Sequence, residues 1–302
     1  MKENLSTDTH FPVVSLQGVS KYYGSHQALN DVHLDVHPGE VLAFLGPNGA
    51  GKTTAIQIML GLRQASQGSV KLFGETPGPR VRNRIGVMLQ DSGLPENLTV
   101  AELIRLFASY YPYSLPVEEV LERADLVAKR KAMVRQLSGG QRQRLYFALA
   151  IIGDPDLIFL DEPTVAMDVS ARRIFWQQLQ EFAALGKTVL FSTHYLDEAD
   201  EMADRIVVMH QGAVLKDGSP QDIKRLVAAK TVKLKTDLSL ASAQGFKGVE
   251  RAEKQNGHLL VYTNEPETFL QSLMLENYTM TDLTVIDTDL EAAFVSLTRT
   301  QA

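Results

Sequence analysis

Cysteine is absent from the 302 residues, which excludes disulfides and thiolate-bound metal. Long apolar runs are absent as well. The longest, Leu145 to Ile152, stops at Gly153, well short of the roughly 20 residues a membrane-crossing helix needs. The N-terminal MKENLSTDTH is polar and lacks the apolar core of a signal peptide. The expectation is a chain that neither spans a membrane nor enters the secretory route. Lys/Arg-rich runs are missing too, and the net charge is −6. A duplex nucleic-acid binder needs a concentrated basic surface to neutralise phosphates, so nucleic acid is not expected among the partners. The nearest candidate, RQLSGGQRQR, mixes its arginines with glycines. No internal repeat or low-complexity segment interrupts the chain.

What is present is an ordinary globular composition, 44% apolar with a mean hydropathy of −0.09. From Val13 to about Lys230, apolar runs alternate with helical ones. VLAFLG, RIGVMLQ, DLIFLD, TVLFST and RIVVMH read as strands buried on both faces of a parallel sheet. The intervening helical segments predict an α/β sandwich. Residues of about 95–153 break the rhythm and read as a helical insertion. Thr99 and Glu102 form a capping box there, with Leu98 and Leu103 placed as a hydrophobic staple. After Lys230 the texture changes again. VKLKT is strand-like, Asn256-Gly257 signals a hairpin, and PETFLQSLMLE and DLEAAFVSLT read as short amphipathic helices. Residues 231–302 are therefore expected to form a small α+β appendage. Six Lys/Arg against ten Asp/Glu make it acidic, which disfavours a grip on anionic lipid.

The most specific signal is GPNGAGKTT. Gly46, Pro47, Asn48, Gly49, Ala50, Gly51, Lys52, Thr53 and Thr54 fit G-x-x-x-x-G-K-[ST] between the strand VLAFL and the helix TTAIQIMLGL. The glycines let successive N–H groups point into one concavity, and the helix N-terminus adds partial positive charge. Such a loop places Lys52 on the β- and γ-phosphates and the Thr53 hydroxyl on Mg²⁺. A glycine-rich turn with a chance lysine would not require strand, loop and helix in this order. Kinases, GTPases and motor ATPases share the loop, so it defines a nucleotide site and no more.

Three further stretches narrow the choice. In LSGGQ, Ser138 and Gln141 form a second capping box, and Gly139 and Gly140 leave a helix N-terminus open to a phosphate. A merely well-capped helix would not begin with two poor helix formers. LIFLDEP ends a buried strand in Asp161 and Glu162, at the sheet edge where α/β proteins gather ligand groups. FSTH ends another strand with His194.

Together these stretches, in this order, resemble the ATPase subunits of ABC transporters. The resemblance covers residues 13 to about 225 and implies a P-loop NTPase of ABC ATPase type, with ATP and Mg²⁺ as ligands. It implies that Asp161 holds Mg²⁺, that Glu162 polarises the attacking water, and that His194 contacts the γ-phosphate. It places Gln90 as a Mg²⁺-sensing glutamine coupled to the membrane partner, Asp168 at a dimer interface, and Tyr23 on the adenine, with Tyr22 as the alternative. Val165 stands where serine is frequent in the family. Two copies, by default identical, would sandwich two ATP molecules, each between GPNGAGKTT of one and Ser138, Gly139, Gly140 and Gln141 of the other. With no membrane domain in the chain, a transporter reading requires a separate integral-membrane permease. That permease would dock near Gln90 to Tyr113 and hold the ATPase on the cytoplasmic face of the membrane. HYLDEADEMADRIVVMHQGAVLKDGSP and DLEAAFVSLT are similar to ATPases of bacterial drug and antibiotic exporters, which favours export. The rival reading is a soluble ABC ATPase acting in translation or DNA repair. Against it stand a single cassette and the lack of a sustained heptad.

Overall fold

Short apolar runs bounded by turn residues bury both faces only between helices, and this requirement sets the architecture. The computed structural model describes residues 11–89, 93–165, 167–224 and 230–287. The chain starts with β1 (Val14–Tyr23), β2 (His26–Val36) and β3 (Val41–Leu45), followed by α1 (Lys52–Met59), β4 (Gln67–Leu72), α2 (Pro79–Arg82) and β5 (Ile85–Met88). A helical stretch comes next: α3 (Val100–Ala108), α4 (Val117–Arg123), two 3-10 turns and α5 (Gly139–Ile151). Then follow β6 (Leu157–Asp161), α6 (Val169–Ala183), β7 (Thr188–Thr193), α7 (Leu196–Met202), β8 (Arg205–His210) and β9 (Ala213–Gly218). The remainder holds α8 (Pro220–Lys224), β10 (Lys230–Lys235), α9 (Leu240–Gln244), β11 (Val249–Gln255), β12 (His258–Thr263), α10 (Pro266–Leu275) and β13 (Thr281–Asp287).

The chain divides into two compact units between Asp217 and Gly218, ahead of the change in sequence texture after Lys230. In the first unit a six-stranded sheet runs in the order β5-β6-β7-β3-β8-β9. The strands read from the sequence are its parallel members: β5 pairs with β6, β6 with β7, and β3 with both β7 and β8. Phe44, Phe159 and Phe191 are fully buried in it, each stabilising the fold by about 1.5–3 kcal/mol. A three-stranded antiparallel sheet, β2-β1-β4, accompanies it, and sequence reasoning missed it. Its pattern is broken by register shifts along β1 and by Gly18 at φ 63°, and most of β4 is exposed.

The helical stretch lies between β5 and β6 in the chain. The Thr99 hydroxyl accepts from the Glu102 N–H at 3.3 Å, and the Glu102 carboxylate accepts from the Thr99 N–H at 2.8 Å. These bonds from Thr99, the backbone one foremost, hold the Glu102 carboxyl below its usual value. The second unit is a four-stranded antiparallel sheet, β11-β12-β10-β13. Asn256 and Gly257 turn β11 into β12 with φ of 50° and 77°, the paired left-handed values of a two-residue hairpin. Its core gathers Val232, Leu234, Leu259, Val261, Phe269 and Leu273. DLEAAFVSLT lies outside the described residues. Among the described residues no helix is long and apolar enough to cross a membrane.

Candidate nucleotide site

Three adjacent strands, β6, β7 and β3, bring their carboxyl ends to one edge of the sheet. Register makes the delivery specific: Leu45 stands opposite Thr193, and Asp161 opposite Ser192. Ligand groups collect at such an edge because loops and helix N-termini converge there.

The loop from β3 to α1 is shaped by close backbone approach. Gly49 and Gly51 adopt φ of 82° and 104°, which L side chains avoid. A Cβ at Gly46 would lie 2.4 Å from the Met209 carbonyl oxygen, and one at Gly51 would lie 2.7 Å from that of Ala28. Lys52, only 5% exposed, donates to the Gly46 carbonyl at 2.6 Å and the Pro47 carbonyl at 3.3 Å. Its Nζ also stands 3.3 Å from Oε1 of Glu162, itself 7% exposed. The other Glu162 oxygen lies 2.6 Å from Nδ1 of His194. Lys52, Glu162 and His194 thus form one continuous polar chain.

Beside it, Asp161 Oδ1 accepts from the Thr53 hydroxyl at 3.2 Å and from the Ser192 hydroxyl at 2.5 Å. Glu162 has a φ of 51°, a left-handed backbone that costs a non-glycine residue roughly 1–2 kcal/mol. Its N–H is held by the Ser192 hydroxyl at 3.0 Å and the Ser192 carbonyl at 3.2 Å. The site keeps a strained residue by over-determining it.

Lys52, Thr53, Glu162 and His194 border a cavity of about 750 Å³ lined also by Tyr23, His26, Ala28, the rest of Pro47 to Thr54, Val165 and Tyr195; Asp161 and Ser192 lie behind this lining. That volume lies within the range of small-molecule sites, roughly 300–1,000 Å³. Tyr23 lines the cavity, flanked by Lys21 and Arg63 at 5.2 and 5.5 Å from its ring centre; Tyr22 does not line it. Ser138, Gly139, Gly140 and Gln141 are not among the lining residues. They open α5, where the Ser138 hydroxyl accepts from the Gln141 N–H at 3.3 Å and the Gln141 side chain accepts from the Ser138 N–H at 3.1 Å. Asp168 is also away from the cavity and caps α6, accepting from the Ala171 N–H at 2.7 Å. The two helix starts are neighbours, since a Cβ at Gly140 would come within 3.0 Å of the Ala171 Cβ. Gln90 lies outside the described residues.

Sequence reasoning missed Ser192, which joins Asp161 to Glu162, and the cavity residues His26 and Tyr195. A signal was available for Ser192: it and Thr193 are polar residues closing an otherwise apolar strand, TVLFST. At Val165, where serine is frequent in the family, the side chain offers no hydrogen bond, and the backbone carbonyl accepts from the Gln143 amide at 3.2 Å.

A glycine cradle with a buried lysine, a hydroxyl facing an aspartate, and a second carboxylate at the next strand end define a P-loop nucleoside triphosphatase. Known proteins narrow the class. The profile of the ABC transporter family matches residues 29–165. Nod factor export ATP-binding protein I of Cupriavidus pinatubonensis is 38% identical over 272 residues, covering 86% of this chain and 83% of that protein. A solved ATP-binding subunit of an ABC transporter superposes with a TM-score of 0.64 at 30% identity, over 71% of this chain and 92% of its own. A dimeric ATP-binding cassette in a post-hydrolysis state, bound to ADP and Pi, gives 0.63 at 28% identity, over 68% and 98%. The chain belongs to the ABC transporter family and is its ATP-hydrolysing subunit.

Proposed function

We propose that this ATPase powers export through a separate integral-membrane permease, as half of a homodimer that closes on two ATP molecules. The observation that carries the dimer reading is the separation of the two motifs: the Lys52 cavity is not lined by the LSGGQ helix start. An open, capped helix N-terminus with two glycines suits a phosphate delivered by a second copy. Export is supported by the relatives, which are Nod factor export ATP-binding proteins. A separate permease is supported by the family and by the lack of a spanning helix among the described residues. The exported molecule is proposed to be a drug, an antibiotic or a lipid-like compound, selected by the permease. Residues 13–230 are assigned to catalysis and 231–302 to an accessory domain.

The proposed chemistry is positioning and charge stabilisation. Loop amides and Lys52 hold the β- and γ-phosphates, and an arriving phosphate competes with Glu162 for the lysine. Glu162, released toward the cavity, accepts the proton of the attacking water, with His194 fixing the carboxylate and contacting the γ-phosphate. Tyr23 offers a face to the base. Thr53 and Asp161 supply two hard oxygen donors 3.2 Å apart, a pairing that fits Mg²⁺ completed by phosphate oxygens. Among the described residues no three His, Asp or Glu side chains cluster as a protein-only metal site, in keeping with a cation held partly by its substrate. Bound there, Mg²⁺ would neutralise charge on the phosphates.

The test is affinity purification of the tagged chain from detergent-solubilised membranes of its host. Co-purification of a multi-spanning permease, with ATPase activity lost in Glu162→Gln, is the expected result. Recovery only with ribosomes, DNA or soluble enzymes would leave the ATPase and overturn the transport role.

A further inference from the structure

We infer that Glu198 is a positioning residue for hydrolysis: its buried carboxylate sets the spacing of the two turns that carry Glu162 and His194. The inference rests on the proposed roles of those two residues. Glu198 lies on α7, is 4% exposed and does not line the cavity. A carboxylate so buried is costly unless its oxygens are satisfied, and here each one serves a different turn. Oε1 accepts from the Thr164 hydroxyl at 2.5 Å, and Thr164 follows Glu162 by two residues. Oε2 accepts from the Thr193 hydroxyl at 2.7 Å, and Thr193 directly precedes His194. Thr193 cannot easily turn away, because its oxygen also accepts from the Tyr195 N–H at 2.9 Å, leaving its single proton for Glu198.

A third contact comes from α6. Arg172 Nε stands 3.5 Å from Oε1, an ion-pair distance without hydrogen-bond alignment. Its guanidinium lies 4.5 Å from the Tyr195 ring centre, and that ring is 4.1 Å from the ring of His194. One carboxylate therefore braces the underside of both turns, while the Glu162–His194 contact of 2.6 Å closes them above. Two hydroxyl donors require two acceptors. Glutamine would present an N–H to one of them and drop the charge facing Arg172, while filling the same volume.

Steady-state hydrolysis of MgATP by the full chain tests this. Glu198→Gln should lower kcat about tenfold with KM held within about twofold, since misplacement of reacting groups acts on turnover rather than on ground-state binding. The same substitution in a His194→Ala background should bring no further loss. An unchanged kcat in Glu198→Gln, or an equal loss in both backgrounds, would overturn the inference. If Glu198→Gln folds poorly, Thr164 serves instead: Thr164→Val should reproduce the kcat loss and Thr164→Ser should restore it, whereas equal activity of the two would count against the brace. Full turnover in Glu162→Gln alone would fault the catalytic assignment; lost turnover there with normal kcat in Glu198→Gln would fault only the brace.

Discussion

The two units of this chain treat buried polar groups in opposite ways. In the second unit Thr263 is the one buried polar side chain among the described residues, and its hydroxyl donates to the Gly248 carbonyl. In the first unit Ser20 and Thr188 are buried apart from the site, but Lys52, Asp161, Glu162, Thr164, Ser192, Thr193 and Glu198 are buried too, and these seven gather at one sheet edge. Burying a charge is unfavourable unless it is paired. A fold that does so repeatedly in one place has concentrated its chemistry there. The second unit, with an apolar core around Phe269, spends its sequence on packing.

Substitutions can break this contrast. The largest expected effect is on turnover: Glu162→Gln should cut phosphate release by at least about 100-fold, as removal of a general base does, while ATP still binds. Retained turnover would remove Glu162 from the base role. Next, Phe269→Ala should destabilise the second unit by about 3–5 kcal/mol without altering ATP affinity. Trp176, the single tryptophan, lies in the first unit. Its fluorescence melt should therefore stay in place while the calorimetric trace of the second unit moves down. A joint shift would mean that the units are not energetically separate. Deleting residues 231–302 should likewise leave ATP binding intact.

Lys52→Ala should weaken ATP binding about 10- to 100-fold, the worth of roughly 1.5–3 kcal/mol for a charge-assisted contact; titration calorimetry decides it. The smallest effect concerns acid. The Thr279 side chain and backbone N–H both bond Asp237 and hold its carboxyl below the usual value. A carboxyl depressed in the folded state contributes stability above its unfolded value, lost as pH falls through the folded one. The melting point of the second unit should thus decline only in strong acid, and Asp237→Asn should flatten that decline.

Legibility in the sequence followed the same divide between local and long-range causes. The buried parallel strands announced themselves because both faces are apolar, and the Lys52 loop because its glycines act on their own backbone. The Asn256-Gly257 hairpin and both capping boxes are equally local. β1 and β4 stayed hidden because bulges and exposure erase alternation, whereas β2 does alternate over Val32 to Val36 and was a missed signal. The contacts of Ser192 and Glu198 were hidden for another reason, although the polar end of TVLFST marks Ser192 itself: their partners Asp161 and Thr164 lie more than 30 residues away in the chain. No window reveals a contact that only the sheet order creates.

Gly86 gives the helix behind LSGGQ a fulcrum. Any Cβ there would lie 2.2 Å from the Ala150 carbonyl oxygen, so near its far end α5 rests directly on the backbone of β5. The helix spans 13 residues, about 20 Å at 1.5 Å per residue. A tilt of about 10° about that contact would swing Ser138 by roughly 3 Å over such a length, about one hydrogen bond's reach. The contact sits at one end of the helix, so the LSGGQ end is the long arm of the lever.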